Sequence, residues 1–190
     1  MLAAVLDTCT LWPSLQRDVL LSWAAEGLYR PLWSTAILDE LAFHEQARLV
    51  SRGRSAPEAG RLAAQLTAAM STAFDDACVR GWEPLAGTYG LPDPDDEHLV
   101  AAAVVGGAEL IVSDNSRHLP LASMPDGVRV ASAAQFAADT AWVAPDVALL
   151  AVQKIAARYT HPVRTVAELL AHLEHRNGWR EAARQLRGRR

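Results

Sequence analysis

The stretch Leu91-Pro-Asp-Pro-Asp-Asp-Glu-His-Leu-Val-Ala-Ala-Ala-Val104 sets four carboxylates and a histidine within positions 93–98 and follows them with an almost purely apolar run. Like charges this close repel one another. Either a cation lies between them, or the turn is solvated and its acids cap the following helix. Three other acids stand in comparable places. Asp7 ends the apolar run Leu2–Leu6, Asp114 ends Glu109-Leu-Ile-Val-Ser-Asp114, and Glu40 lies in a helix opened by Ser34. In an open parallel α/β sheet, strand ends and helix starts share one edge, so Asp7, Glu40, Asp96 and Asp114 can converge there. An oxygen-rich cluster of this kind suits Mg²⁺ or Mn²⁺. Such an ion lowers the pKa of a bound water and steadies charge on a phosphoryl oxygen, which is phosphodiesterase chemistry.

Each residue also has a plainer reading. Asp7 can cap the turn after its strand, and Asp114 and Glu40 can be a turn acid and a solvated helix acid. Asp93 and Asp95 lie in a Pro-rich turn, with Asp95 the expected N-cap. His98 is expected to pack on its helix or face solvent rather than bind metal. His161, His172 and His175 lack a spacing that demands metal, and Cys9 reads as a small buried apolar residue.

The elements that must position these groups follow from pattern. Leu2–Leu6 reads as a buried parallel strand. Leu15, Val19, Leu20 and Trp23 recur at helical spacing, and Gly27 closes that helix. Residues 28–33 suggest a strand, but Pro31 lacks a donor and argues against a central position. Ser34 caps a helix over residues 35–48, and Pro57 starts another. A short strand is expected within 77–80, a helix over 96–105 closed by Gly106-Gly107, strands at 109–114 and 128–130, and a helix from Ser132 through Phe136. Beyond residue 139 only helices are expected, over 145–158 and 166–176.

A chain of 190 residues with 51% apolar content accommodates one core and a small appendage. No window suits a membrane span, the N-terminus does not read as a signal peptide, and two cysteines fit a reduced cytosol; a cytoplasmic protein is the expectation. The net charge of −4 hides an asymmetry, since residues 1–138 carry nine Arg and no Lys against 17 acids, and residues 139–190 carry nine Lys or Arg against five. An acidic body with a basic tail suggests two tasks. The final stretch, from Arg176 to Arg190, holds six Arg and one Glu. It either offsets the acidic pocket toward a polyanion or is a solvated helix end.

The set Val5-Leu-Asp-Thr8, Ser34-Thr-Ala-Ile-Leu-Asp-Glu40, Asp93-Pro-Asp-Asp-Glu-His-Leu-Val-Ala-Ala-Ala103 and Leu110-Ile-Val-Ser-Asp-Asn-Ser-Arg-His-Leu-Pro120 resembles the four ordered motifs of a PIN domain, nearest to VapC-like toxins of type II toxin–antitoxin pairs. The resemblance covers roughly residues 1–138. It implies a three-layer α/β/α fold with a central, mainly parallel sheet, a nuclease domain over 1–138, and a C-terminal helical extension over 139–190. It also implies a metal-dependent endoribonuclease with a cognate antitoxin as partner, and a homodimer. By motif position Asp7 is the first metal ligand, Glu40 the second acid, and Asp96 the third, with Asp93 the alternative before the same helix. Asp114 or Asn115 fills the fourth position. A neutral Asn there would leave one firmly held Mg²⁺. Thr8 and Ser113 are expected to support the ligands or their waters.

Rival readings belong to other classes. A haloacid-dehalogenase-like phosphatase needs a second Asp where this chain has Cys9, and a receiver-like domain needs a Lys in the α/β body, whereas the only Lys is Lys154. A structure-specific DNA nuclease and a non-catalytic module with structural carboxylates remain as alternatives.

Overall fold

Ala3–Leu6 forms the first strand, β1, with all four side chains buried. The computed structural model describes residues 1–189. Asp7 leads from β1 into a single helical turn, α1 (Thr8–Leu11), and then α2 (Ser14–Ala25). The chain returns as β2 (Arg30–Ser34) and enters α3 (Thr35–Ser51), whose first turn is capped by Ser34 Oγ accepting from the Ile37 N–H at 3.2 Å. Ser55 caps α4 (Ala56–Ala73), with Pro57 in its first turn where a missing N–H costs nothing. Two residues, Cys78–Val79, make β3. The acidic turn is a 3₁₀ turn over Pro94–Asp96 running into α5 (Glu97–Gly106). Strand β4 (Leu110–Val112) and strand β5 (Arg129–Ala131) complete the sheet.

The five strands lie in the order β3-β2-β1-β4-β5, and all four pairings are parallel. The strand order reverses at β1, so the carboxyl end of β1 is the switch point at which open α/β sheets form a crevice. Asp7 stands there, with Ser34 and Ser113 at the ends of the flanking strands. Helix α5 packs across β1, β2, β3 and β4. Its run Ala101-Ala-Ala103 is fully buried, and these small side chains let the helix lie close to the sheet. At its end a Cβ on Gly106 would fall 2.8 Å from a Val79 methyl and 2.9 Å from a Leu32 methyl, so the glycine fits a near contact between helix and sheet.

Pro31 lies in an interior strand, contrary to expectation, and the hydrogen bonds explain how. The Arg30 N–H is given to Leu2, just before β1, and the Trp33 N–H to Ala77, just before β3. Alternation turns the Pro31 nitrogen toward β3, whose pairing begins only at Trp33. The missing donor therefore faces a stretch with no strand opposite it.

The helix opened by Ser132 is longer than expected. As α6 it runs from Ala133 to Val143, through position 138–139 without a break. Helix α7 (Pro145–Arg158), helix α8 (Val166–Asn177) and helix α9 (Arg180–Arg187) follow. These helices share the core of the α/β body. Trp23 and Trp179 stack at 5.4 Å between ring centroids, the Trp23 indole N–H donates to the Ala148 carbonyl at 3.0 Å, and the Trp179 indole donates to Gln16 at 3.0 Å. Much of the basic tail is committed locally: Arg184 pairs with Glu181, Arg187 with Glu174 and Arg189 with Asp146. Arg190 lies outside the described residues. Among the described residues, no helix is long and apolar enough to cross a membrane.

Candidate metal and active site

Asp7 is buried, and its place between β2 and β4 follows from the central position of β1. Its carboxylate makes no capping bond to α1. Instead Oδ2 accepts from Ser113 Oγ at 2.6 Å and from Cys9 Sγ at 2.9 Å. Cys9 is thus more than an apolar filler. Burial first, and then the Asp7 charge, push its thiol up to about 12, so it stays protonated and serves as a donor. Oδ1 of Asp7 receives no hydrogen bond from the described residues.

Glu40 joins the site through Thr8. The Thr8 hydroxyl donates to Glu40 Oε2 at 2.8 Å, and His44 Nε2 lies 3.4 Å from Oε1. Asp96 enters from the start of α5. Its Oδ2 lies 2.9 Å from His118 Nδ1 and 3.3 Å from Asn115 Nδ2. Asn115 is itself held by Ser113 Oγ, which accepts the Asn115 backbone N–H at 3.0 Å. Asp114 points elsewhere. Its Oδ1 accepts the Ala133 N–H at 3.0 Å, the start of α6. The structure therefore gathers Asp7, Asp96, Ser113 and Asn115, sets Glu40 beside them through Thr8, and uses the Asp114 side chain to hold a helix start.

Asp93 has two contacts of interest. Its Oδ1 accepts the Asp95 N–H at 3.1 Å, so the cap of the acidic turn is Asp93 and not Asp95, which is exposed. It also faces His118 at 3.4 Å, and one ligand atom each from Asp93, Asp96 and His118 lie within 4.8 Å of one another. His118 carries no spacing signal except its place three residues after Asn115. The turn that closes with His118 N–H donating to the Asn115 carbonyl at 3.1 Å brings it back. Glu97 was equally silent in the sequence. Its buried carboxylate accepts the Tyr89 and Leu91 N–H groups at 3.0 and 3.2 Å, which ties the preceding loop to α5 and lowers its pKa. His98 is packed on α5, as expected, with Trp82 at its edge. Burial keeps its pKa below the ordinary value although Asp7, Glu40 and Asp96 pull the other way.

Electrostatics make the cluster costly without a counter-charge. Asp96 is held above the ordinary carboxylate range, first by burial and then by the Asp7 and Asp93 charges, with the His118 hydrogen bond opposing them. Among the described residues no Lys or Arg forms an ion pair with Asp7, Glu40, Asp93 or Asp96. Hard oxygen donors, one free carboxylate oxygen on Asp7 and unbalanced negative charge fit a divalent cation. A raised folded-state pKa means that the folded chain binds the Asp96 proton more tightly than the unfolded chain. Stability then falls as pH rises from the ordinary carboxylate value through the folded one. Asp96→Asn is accordingly expected to melt higher than wild type at pH 7 in EDTA, and a lower melting temperature would show that the His118 contact outweighs burial and repulsion.

Two family models match the chain, one described as PIN domain over residues 3–117 and one as VapC50 C-terminal domain over residues 133–188. No curated protein and no solved structure matches it. PIN domains are generally metal-dependent nucleases, and the convergent acids lie inside the matched segment. By that match, over more than half of its length and around the crevice at the end of β1, the chain belongs to the PIN-domain family.

Proposed function

We propose that the chain is an Mg²⁺-dependent endoribonuclease and the toxin of a toxin–antitoxin pair, with Mn²⁺ an alternative ion. The observation that carries the reading is the carboxylate cluster of Asp7 and Asp96 at the switch point, with Glu40 beside it and no Lys or Arg paired with it among the described residues. The match to the VapC50 C-terminal domain supports the toxin assignment and a cognate antitoxin as partner.

In this reading Asp7 and Asp96 would hold the ion, and Glu40 would reach it through water or act as the base. Asn115 takes the fourth position in preference to Asp114, whose carboxylate is engaged by α6. When bound, the ion supplies an activated water and offsets charge on the phosphoryl oxygen. The chain's own groups provide orientation. Ser113 and Cys9 fix one oxygen of Asp7, Thr8 fixes Glu40, and His118 with Asn115 fixes Asp96. Asp93 and His118 complete a second set of donors around Asp96. Cytoplasmic location and a homodimer belong to the same proposal.

The test is cleavage of a panel of RNAs by the purified chain with Mg²⁺, with Mn²⁺ and with EDTA, beside single- and double-stranded DNA. Cleavage of RNA that stops in EDTA and returns with Mg²⁺ is expected. Activity that persists in EDTA, or that is confined to DNA, would overturn the proposal.

A further inference from the structure

A second surface adjoins the acidic crevice, with opposite charge. Glu40, His44 and Arg48 follow one another at four-residue intervals along α3, and Arg52, which caps its end, follows at the same interval, so the row runs over about 18 Å at 1.5 Å per residue. The row begins at the site, where Glu40 meets Thr8, and ends in a groove of about 460 Å³. That groove is lined by Trp12, Leu15, Arg48, Arg52, His172 and Arg176, so its walls come from α2, α3, α8 and the residue that ends α1.

The charges in the groove are unequal. Arg48 is held by the buried Glu45, with Nε to Oε2 at 2.9 Å. Arg52 and Arg176 are exposed and form no ion pair with the described residues. Around His172, burial first and then the Arg164 and Arg176 charges lower the pKa. Each of Arg52 and Arg176 ends a helix, where the dipole favours a cation. The dipole does not account for the indole of Trp12, which lines the same groove as both arginines. Trp12 is 42% exposed at the lip of the groove, with its ring 6.4 Å from His44, and Phe43 is 69% exposed with its ring 5.5 Å from the same imidazole.

A flat indole face next to a track of cations suits an unpaired nucleic-acid strand, with a base on the ring and phosphates on the guanidinium groups. An acidic polypeptide would use the charge but not the rings. We infer that this groove is the binding track for single-stranded RNA leading to or from the acidic crevice, with a base stacked on Trp12 and backbone phosphates on Arg52 and Arg176. The inference rests on the nuclease reading for its choice of RNA. It assigns the substrate contacts to the junction of the α/β body with α8 rather than to the paired arginines of α9.

The test is binding of a fluorescein-labelled single-stranded RNA of mixed sequence to the full chain in EDTA, read by anisotropy across a salt series, with circular dichroism melts as the folding control. Trp12→Ala is expected to weaken binding roughly ten- to hundredfold. The double variant Arg52→Gln with Arg176→Gln should weaken it and make the slope of log affinity on log salt shallower by about 1.4, two phosphate contacts at about 0.7 each. The duplex form of the same RNA should bind less tightly, because its bases are already stacked. Wild-type affinity and slope in these folded variants, or preference for duplex, overturns the inference. So does a poly-glutamate peptide that displaces the RNA while the Trp12 variant binds as wild type. RNA cleavage by a chain whose groove variants bind normally rejects the track and leaves the nuclease reading intact. No cleavage of any RNA, with groove-dependent binding, rejects the nuclease reading and leaves the track.

Discussion

Asp7→Asn is expected to lower RNA cleavage by about a hundred- to a thousandfold, the scale of removing one preorganised electrostatic group from an active site. The melting temperature should stay close to that of wild type. The substitution can keep an oxygen where Ser113 and Cys9 donate, while it removes the charge and replaces the other carboxylate oxygen with an amide nitrogen. A purely structural Asp7 would give the opposite pattern, and the geometry provides no capping bond for it to lose. The measurement is single-turnover cleavage beside a thermal melt of the same preparation. Cleavage within tenfold of wild type would remove Asp7 from the chemistry and with it the assignment of the ion to this crevice.

Trp179→Ala is expected to destabilise the chain by about 3–5 kcal/mol, the usual cost of truncating a buried indole. Trp179 is 1% exposed, stacks on Trp23 and donates to Gln16. Gln16 in turn donates to the Thr10 carbonyl at 2.8 Å, and Thr10 Oγ1 donates to the Val112 carbonyl at 2.9 Å. These links run in series from α9 to the end of β4, beside the serine that holds Asp7. Trp179→Phe keeps most of the apolar contact and leaves Gln16 Oε1 without its donor, which should cost about 1–3 kcal/mol. Chemical denaturation followed by far-UV circular dichroism reads both. A loss below about 1 kcal/mol for the alanine variant would show that α9 is only loosely joined to the α/β body.

Much of the fold was legible because local signals were strong. Ser34 and Ser132 cap as their types predict, and the apolar run of β1 is a central strand. Pro31 misled because a donor count cannot see which neighbour a nitrogen faces. The acids of the candidate site were visible as strand ends and helix starts. The partners that orient them were not. His118 and Glu97 act through turns whose closure depends on the folded backbone, so neither has a spacing of its own. The choice between Asp93 and Asp95 as a cap also turned on geometry, since either type suits the role. The tail's charge was plain in the sequence, whereas the pairing of Arg187 with Glu174 needed α8 and α9 side by side.

Pro31 has one more effect, on register. Side-chain alternation protects a strand against a slip of one residue, since every side chain would change face, but it is blind to a slip of two. Sliding β3 two residues toward the start of β2 would bring the Ala77 carbonyl opposite the Pro31 nitrogen in place of the Trp33 N–H it now accepts. The proline has nothing to give there. The slipped pairing loses a hydrogen bond that the native one keeps, so an imino acid in an interior strand works as a stop. It holds β3 at the level where the end of β2, Ser34, opens the helix that carries Glu40.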